Sequence, residues 1–166
     1  MLKRRSVISI LGLGSLGPAL AALLARATAA DAASPAGDPA WQLSDSQWRQ
    51  RLSPESYAVL RREGTERPFS SPLNAEKRPG TYRCAGCEQP LFRSEGKFDS
   101  GTGWPSFFAT LPGAITSKRD FKLIVPRTEY HCSRCGGHQG HVFNDGPRPT
   151  GKRYCNNGAA LSFEAD

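Results

Sequence analysis

Five cysteines fall into two pairs and one single. Cys84-Ala85-Gly86-Cys87 and Cys132-Ser133-Arg134-Cys135 are C-x-x-C pairs with 44 residues between them. A C-x-x-C turn lets both sulfurs face one point, and two such turns complete the tetrahedron that Zn2+ prefers. Gly136 follows the second pair, where such a turn often needs a positive φ. Four thiolates leave no coordination position open, so on this reading the one zinc ion is structural. Two readings compete with it. A pair of disulfides would suit an exported chain, and thioredoxin-style redox dithiols would need a βαβ context that the pattern lacks. His131 adjoins Cys132 and could replace a ligand, but its place in a strand-like run turns it away from the metal.

The fifth cysteine, Cys155, lies in Arg153-Tyr154-Cys155-Asn156-Asn157-Gly158. A lone cysteine is most often an inert buried side chain. Here polar residues flank it, and Arg153 supplies a positive charge that favours a thiolate. A thiol of ordinary pKa, about 8.5, is only a few per cent ionised at pH 7, so a nucleophile needs a partner. Upstream stands His138-Gln139-Gly140-His141, and an imidazole can take or deliver a proton near neutral pH. The other reading of His138 and His141, a second metal site, has only Asp145 as a nearby carboxylate.

These residues need a frame. Ser44-Asp45-Ser46-Gln47 has the form of a capping box and should open a short helix. Ser53 as N-cap, Pro54 at the first helical position and Gly64 at C′ mark a second. After Gly64, prolines and glycines separate short β-branched or aromatic runs: 81–84, 90–92, 121–125, 128–132, 141–143, 152–155 and 160–163. Runs of that length predict an antiparallel sheet with turns. The expected fold is mainly β, with a short helical N-terminal section beside it.

The N-terminus reads differently. Basic residues (Lys3, Arg4, Arg5) precede an apolar run over 7–25 and then small residues in A-x-A patterns. That order predicts a secretory signal peptide over 1–30, and Arg4-Arg5 resembles a twin-arginine signal. The expectation is export to the periplasm; a retained membrane anchor is the alternative, since about 20 apolar residues span a bilayer. Residues 31–40 read as a linker and 41–166 as the working domain. Removing Lys3, Arg4, Arg5 and Arg26 lowers the formal charge from +7 to +3. The basic balance therefore belongs largely to the leader and argues for no nucleic-acid partner.

From Trp48 to Phe163 the chain resembles the B-type methionine sulfoxide reductases. The resemblance runs through Gly64-Thr65-Glu66, Pro68-Phe69, both C-x-x-C pairs and the block Lys97–Phe107 that contains Ser100-Gly101-Thr102-Gly103-Trp104-Pro105-Ser106-Phe107. It continues with His138–Pro147 and ends with Arg153-Tyr154-Cys155-Asn156-Asn157. It implies two antiparallel sheets, a structural zinc on four cysteines, and reduction of methionine-R-sulfoxide in proteins. By resemblance Cys155 is the catalytic thiol, and His141, helped by His138, protonates the sulfoxide oxygen. Asn157 orients these groups, Asp145 and Arg153 set the local charge, and Trp104 with Phe143 walls a pocket for the substrate methyl.

Three positions depart from the family pattern. Many members carry a resolving cysteine where this chain has Thr102, so the sulfenic acid left on Cys155 is expected to be reduced by an external thiol. A thioredoxin-like protein or a small thiol would serve; recruitment of a zinc cysteine is the weaker route. Gln139 stands where leucine is frequent and Gly158 where serine is frequent, and both are expected to tune the pocket. The chain is expected to act as a monomer. A non-catalytic zinc-ribbon-like module would explain the paired cysteines but not Cys155, the histidines or Trp104. A thiol hydrolase using Cys155 and His141 lacks an oxyanion-hole motif.

Overall fold

The computed structural model describes residues 38–122 and 125–166. The expected signal over 1–30 and most of the expected linker lie outside the described residues. The linker's last residues enter a 3-10 turn, Pro39–Trp41.

Two short helices follow. Helix α1, Asp45–Arg51, starts at Ser44 with a complete capping box: the Ser44 hydroxyl accepts from the Gln47 N–H, and the Gln47 side chain accepts from the Ser44 N–H. Helix α2, Pro54–Arg62, is capped by Ser53 and buries Tyr57, Val59 and Leu60. Its end differs in detail from expectation, because the left-handed residue is Glu63 (φ 53°). Glu63 faces Lys118 and Lys122, ion pairs that tie the helix end to a strand and the loop after it.

The strands form two antiparallel sheets. The smaller contains β1 (Gly80–Cys84), β2 (Pro90–Arg93) and β9 (Leu161–Ala165), in the order β2-β1-β9. The larger contains β3 (Lys97–Phe98), β4 (Ser106–Phe107), β5 (Ile115–Asp120), β6 (Arg127–Cys132), β7 (His138–Phe143) and β8 (Arg153–Asn156). Its order is β3-β4-β8-β7-β6-β5. The mainly β expectation holds, with one strand moved and two short ones, β3 and β4, unforeseen. In the run 121–125 the described residues Phe121, Lys122 and Val125 are not in a strand; the strand is the polar stretch before it. As an edge strand, β5 exposes Ser117, Lys118 and Arg119 and needs no apolar alternation, while Phe121 and Val125 lie 70% and 71% exposed in the connection to β6.

Aromatic side chains join the sheets. Phe92 of the smaller sheet stacks on Phe107 of the larger at 4.2 Å, and Tyr82 meets Phe107 edge-on at 4.9 Å. Offset and edge-on pairs of this kind add to plain area burial. Tyr130 and Tyr154 extend the same seam, and Tyr82, Phe92, Phe107 and Tyr130 are fully buried.

Candidate active site

The larger sheet places Cys155 by register. On β8 it pairs with His141 of β7 on one side and with Ser106 of β4 on the other. Side chains at directly opposed positions of an antiparallel ladder share a face, so imidazole, thiol and hydroxyl form one row across three strands. Gly140 lets β7 lie this close, since a Cβ there would stand 2.0 Å from the Cys155 carbonyl oxygen.

That row borders a cleft of about 130 Å3, lined by Thr65, Trp104, Arg127, Gly140, His141, Phe143, Cys155, Asn156 and Asn157. It is smaller than the roughly 300–1,000 Å3 of a cofactor-sized pocket and suits the end of one side chain. Trp104 is held by its indole N–H on the Glu66 carbonyl at 3.1 Å. Of the sequence candidates, the structure brings Cys155, His141, Asn157, Trp104 and Phe143 to this cleft. Arg153 covers the Phe143 ring at 4.3 Å and grips Asp145 with two bonds of 2.8 Å. The pair lies at an adjoining depression shared with Thr102.

His138 does not line the cleft. It is 2% exposed and sits behind His141, ring centroids 5.7 Å apart, with Nδ1 2.5 Å from a Glu129 carboxylate oxygen. Burial pushes its pKa down to about 4 against the pull of Glu129, so at neutral pH it is uncharged. Asn157 is likewise a brace. Its Oδ1 accepts from the Glu66 N–H and its Nδ2 donates to the Gln139 carbonyl, both at 3.1 Å.

Burial raises the Cys155 thiol pKa, and the Thr102 hydroxyl and Arg153 recover only part of that shift. Arg153 favours the thiolate as its charge requires, but desolvation outweighs it, so the resting group is the thiol. A hydroxyl chain reaches the sulfur: Ser106 to Ser100 at 2.7 Å, Ser100 to Thr102 at 2.8 Å, and Thr102 to Cys155 at 4.0 Å.

Away from the cleft, Cys84, Cys87, Cys132 and Cys135 converge, with Sγ–Sγ separations of 3.6 Å (Cys84–Cys135) and 3.5 Å (Cys87–Cys132). A tetrahedron with metal–sulfur bonds of about 2.3 Å has edges of about 3.8 Å, so the spacing fits an ion held by four thiolates. None of the four is disulfide-bonded, and all are buried. Ionising Cys132 drives Cys135 and Cys84 upward, so the four cannot all ionise without a cation. His131 is not one of them; its Nδ1 meets the Gly136 carbonyl. The pairs come from different sheets, one at the β1–β2 turn and one at the β6–β7 turn, so this cluster pins the sheets together.

Gln139 overturns an expectation. Its side chain turns away from the cleft, donating to Cys84 Sγ at 3.3 Å and accepting from Asn156 at 3.4 Å. Gly158 is a packing requirement, because a Cβ there would meet the Ser71 hydroxyl at 2.0 Å.

Sequence reasoning missed Asp120, Arg127, Glu129 and Glu66. Asp120 accepts from His141 Nε2 at 2.8 Å and from Arg127 at 2.7 Å. Glu66 receives the Gly158 and Ala159 N–H groups on its two carboxylate oxygens. No spacing rule links Glu66 to Asn157, 91 residues later, or Asp120 to His141; chain packing makes the first pair and sheet register the second.

Comparison with known proteins agrees with this geometry. The profile of the SelR domain matches residues 52–165. The chain is 55% identical over 122 residues to the peptide methionine sulfoxide reductase MsrB of Agrobacterium fabrum, covering 73% of this chain and 90% of that protein. It is 52% identical over 124 residues to the MsrB of Methanosarcina barkeri, covering 74% and 87%. Against the MsrB of Thiobacillus denitrificans it is 54% identical over 121 residues, covering 72% and 92%. A family model that spans the four-sulfur cluster and the Cys155 cleft, with relatives at this level of identity over most of their own length, places the chain in the SelR-domain family, the B-type methionine sulfoxide reductases.

Proposed function

We propose that the protein reduces methionine-R-sulfoxide in proteins by attack of Cys155 on the sulfoxide sulfur, with His141 as the proton carrier. The observation that carries this reading is the registered row of Cys155 and His141 at a cleft walled by Trp104 and Phe143. The aromatic walls receive the methyl thioether end of the substrate. A sulfoxide is a poor electrophile until its oxygen is protonated, so acid and nucleophile must reach the same S–O group.

The balance closes within the site. The Cys155 thiol gives up its proton, its sulfur bonds to the substrate sulfur, and His141 delivers a proton to the oxygen. The protonated oxygen then passes from the substrate sulfur to the Cys155 sulfur: the S–O bond and the new S–S bond both break, methionine leaves with the S–S electron pair, and Cys155 is left as a sulfenic acid. Since the resting group is the thiol, the proton lost by sulfur equals the one gained by oxygen. His138 backs His141, Asn157 braces the loop behind the cleft, and Asp145 with Arg153 moderates the charge beside the sulfur.

Thr102 occupies the place of a resolving cysteine, and the four other thiols are buried in their cluster. The sulfenic acid is therefore reduced by an external thiol, either a thioredoxin-like protein or a small thiol. Zn2+ held by Cys84, Cys87, Cys132 and Cys135 would supply structural cross-linking only. The protein is taken to be a monomer that meets oxidised proteins after export, with residues 1–30 as a twin-arginine-like signal; N-terminal sequencing of the processed protein checks the cleavage.

Cys155→Ser should lower reduction of an R-sulfoxide peptide by about 10³-fold or more, with no turnover of the S-epimer by either form. Near-normal turnover of the variant would remove Cys155 from the mechanism and return the chain to a zinc-stabilised binding role.

A further inference from the structure

Asp120 is a buried carboxylate at the end of β5 that makes no contact with the cleft itself. Its Oδ1 accepts the Lys122 backbone N–H at 2.8 Å, and its Oδ2 accepts both from Arg127 Nη2 at 2.7 Å and from His141 Nε2 at 2.8 Å. The residue is 5% exposed. The Lys122 N–H, then His141 and then Arg127 hold its carboxyl well below the ordinary range, so it is ionised and can only accept.

That settles where a proton sits. The hydrogen between an ionised carboxylate and an imidazole nitrogen belongs to the nitrogen. A neutral imidazole has one N–H, so with Nε2 protonated, Nδ1 carries the lone pair. Among the described residues nothing bonds to His141 Nδ1, and the ring lines the cleft beside Cys155.

We propose that Asp120 fixes His141 as its Nε2–H tautomer and thereby assigns the catalytic proton to Nδ1, the nitrogen left open to the cleft. This rests on the reading of His141 as the proton carrier and makes Asp120 its positioning residue. In the charged ring, Nε2–H stays on Asp120 and Nδ1–H is the proton delivered to the sulfoxide oxygen. When the Cys155 thiol ionises, its proton returns to Nδ1. The carboxylate orients the ring and fixes its tautomer, as in other carboxylate–imidazole pairs that act on a reacting group.

The charged and titratable neighbours frame this assignment. From β6 come Arg127, which shares Oδ2 and offsets part of the carboxylate's pull, and Glu129, the register partner of His141. From β7 itself comes uncharged His138, and from β8 comes Cys155. Helix α2 also packs on β7, but its Arg61 donates to the Cys135 carbonyl. Asp120 is thus the anion bonded directly to the ring.

Two measurements on the full, metal-loaded chain test the proposal. The first needs no variant: long-range 1H–15N NMR of the imidazoles, resolvable because the chain has three histidines. His141 neutral as the Nε2–H form is the expected result; the Nδ1–H form overturns it. The second joins the single-turnover rate of sulfenic acid formation to the same NMR signature. Asp120→Asn, whose amide can donate as well as accept, should lower the rate by about tenfold and admit the Nδ1–H form, with Asp120→Glu restoring both. A lowered rate with the Nε2–H form intact marks a structural role and overturns the assignment. His141→Asn separates the two layers: a normal rate there rejects His141 as proton carrier, whereas an inactive His141→Asn with a wild-type rate and tautomer in Asp120→Asn rejects only the role of Asp120.

Discussion

At the scale of single residues, the site works by mismatch between what a side chain would do in water and what its neighbours impose. Cys155 is raised by burial although a cation and a hydroxyl adjoin it, which ties its ionisation to arrival of a group that can take the proton. Thr102 stands 4.0 Å from that sulfur. Thr102→Cys should therefore convert the protein into one that resolves its own sulfenic acid. After one turnover without reductant, non-reducing mass analysis should find a disulfide between the introduced thiol and Cys155, while wild type shows an oxidised Cys155 outside any intramolecular disulfide. Absence of the bond in the variant would mean that the 100–103 loop does not approach as described. His138 supplies a second residue-scale prediction. Its pKa of about 4 when folded, against about 6.5 when unfolded, means that the unfolded chain binds the extra proton between those values. Stability should consequently fall as pH drops from about 6.5 towards 4. His138→Gln should flatten that slope in urea-midpoint measurements; an unchanged slope assigns the acid sensitivity elsewhere.

At the scale of elements, the segment around Glu66 matters more than its lack of regular structure suggests. Its carboxylate holds the turn that opens at Gly158, its N–H holds Asn157, and its carbonyl holds the Trp104 indole. One residue thus fixes a cleft wall and the chain just past Cys155. Glu66→Ala leaves two N–H groups without their acceptors and should cost about 1–3 kcal/mol, read as a lower urea midpoint with unchanged slope. A loss below about 0.5 kcal/mol would show that water replaces the carboxylate. Both helices were legible in the sequence because capping is local: Ser44 with Gln47, and Ser53 with Pro54, need only neighbours. Most of the longer strands were legible because short β-branched or aromatic runs stand between prolines and glycines. Strand β5 was not, since an edge strand of Thr, Ser, Lys and Arg carries no apolar signature. The cysteine cluster was legible from spacing, as were Cys155 and His141 from composition and resemblance. Asp120, Glu66 and Glu129 were not, because strand pairing and loop packing bring them to the site. Gln139 was misassigned for a related reason: its backbone lies in β7 beside His141, yet its side chain turns to the face that looks onto the sulfurs.

At the scale of the molecule, two sheets are held by an aromatic seam and by one four-sulfur cluster drawn from a turn of each. Removing a metal from such a cluster leaves four thiols crowded within 4.8 Å of one another, and folding free energy is lost with the ion. A strong chelator applied to the loaded protein should lower its melting temperature by at least about 10 °C, with activity restored on return of Zn2+; an unshifted transition would show that the seam alone holds the sheets. The burial of that cluster has a further consequence. Cys84, Cys87, Cys132 and Cys135 are between 0% and 7% exposed, while Cys155 opens on the cleft. A protein whose trade is oxidised sulfur carries five cysteine sulfurs of its own that oxidants could spoil, and it shows the outside world one. On the proposed mechanism electrons would enter and oxygen depart through that single terminal, with the scaffold's own sulfurs set apart from the oxidised sulfur it repairs.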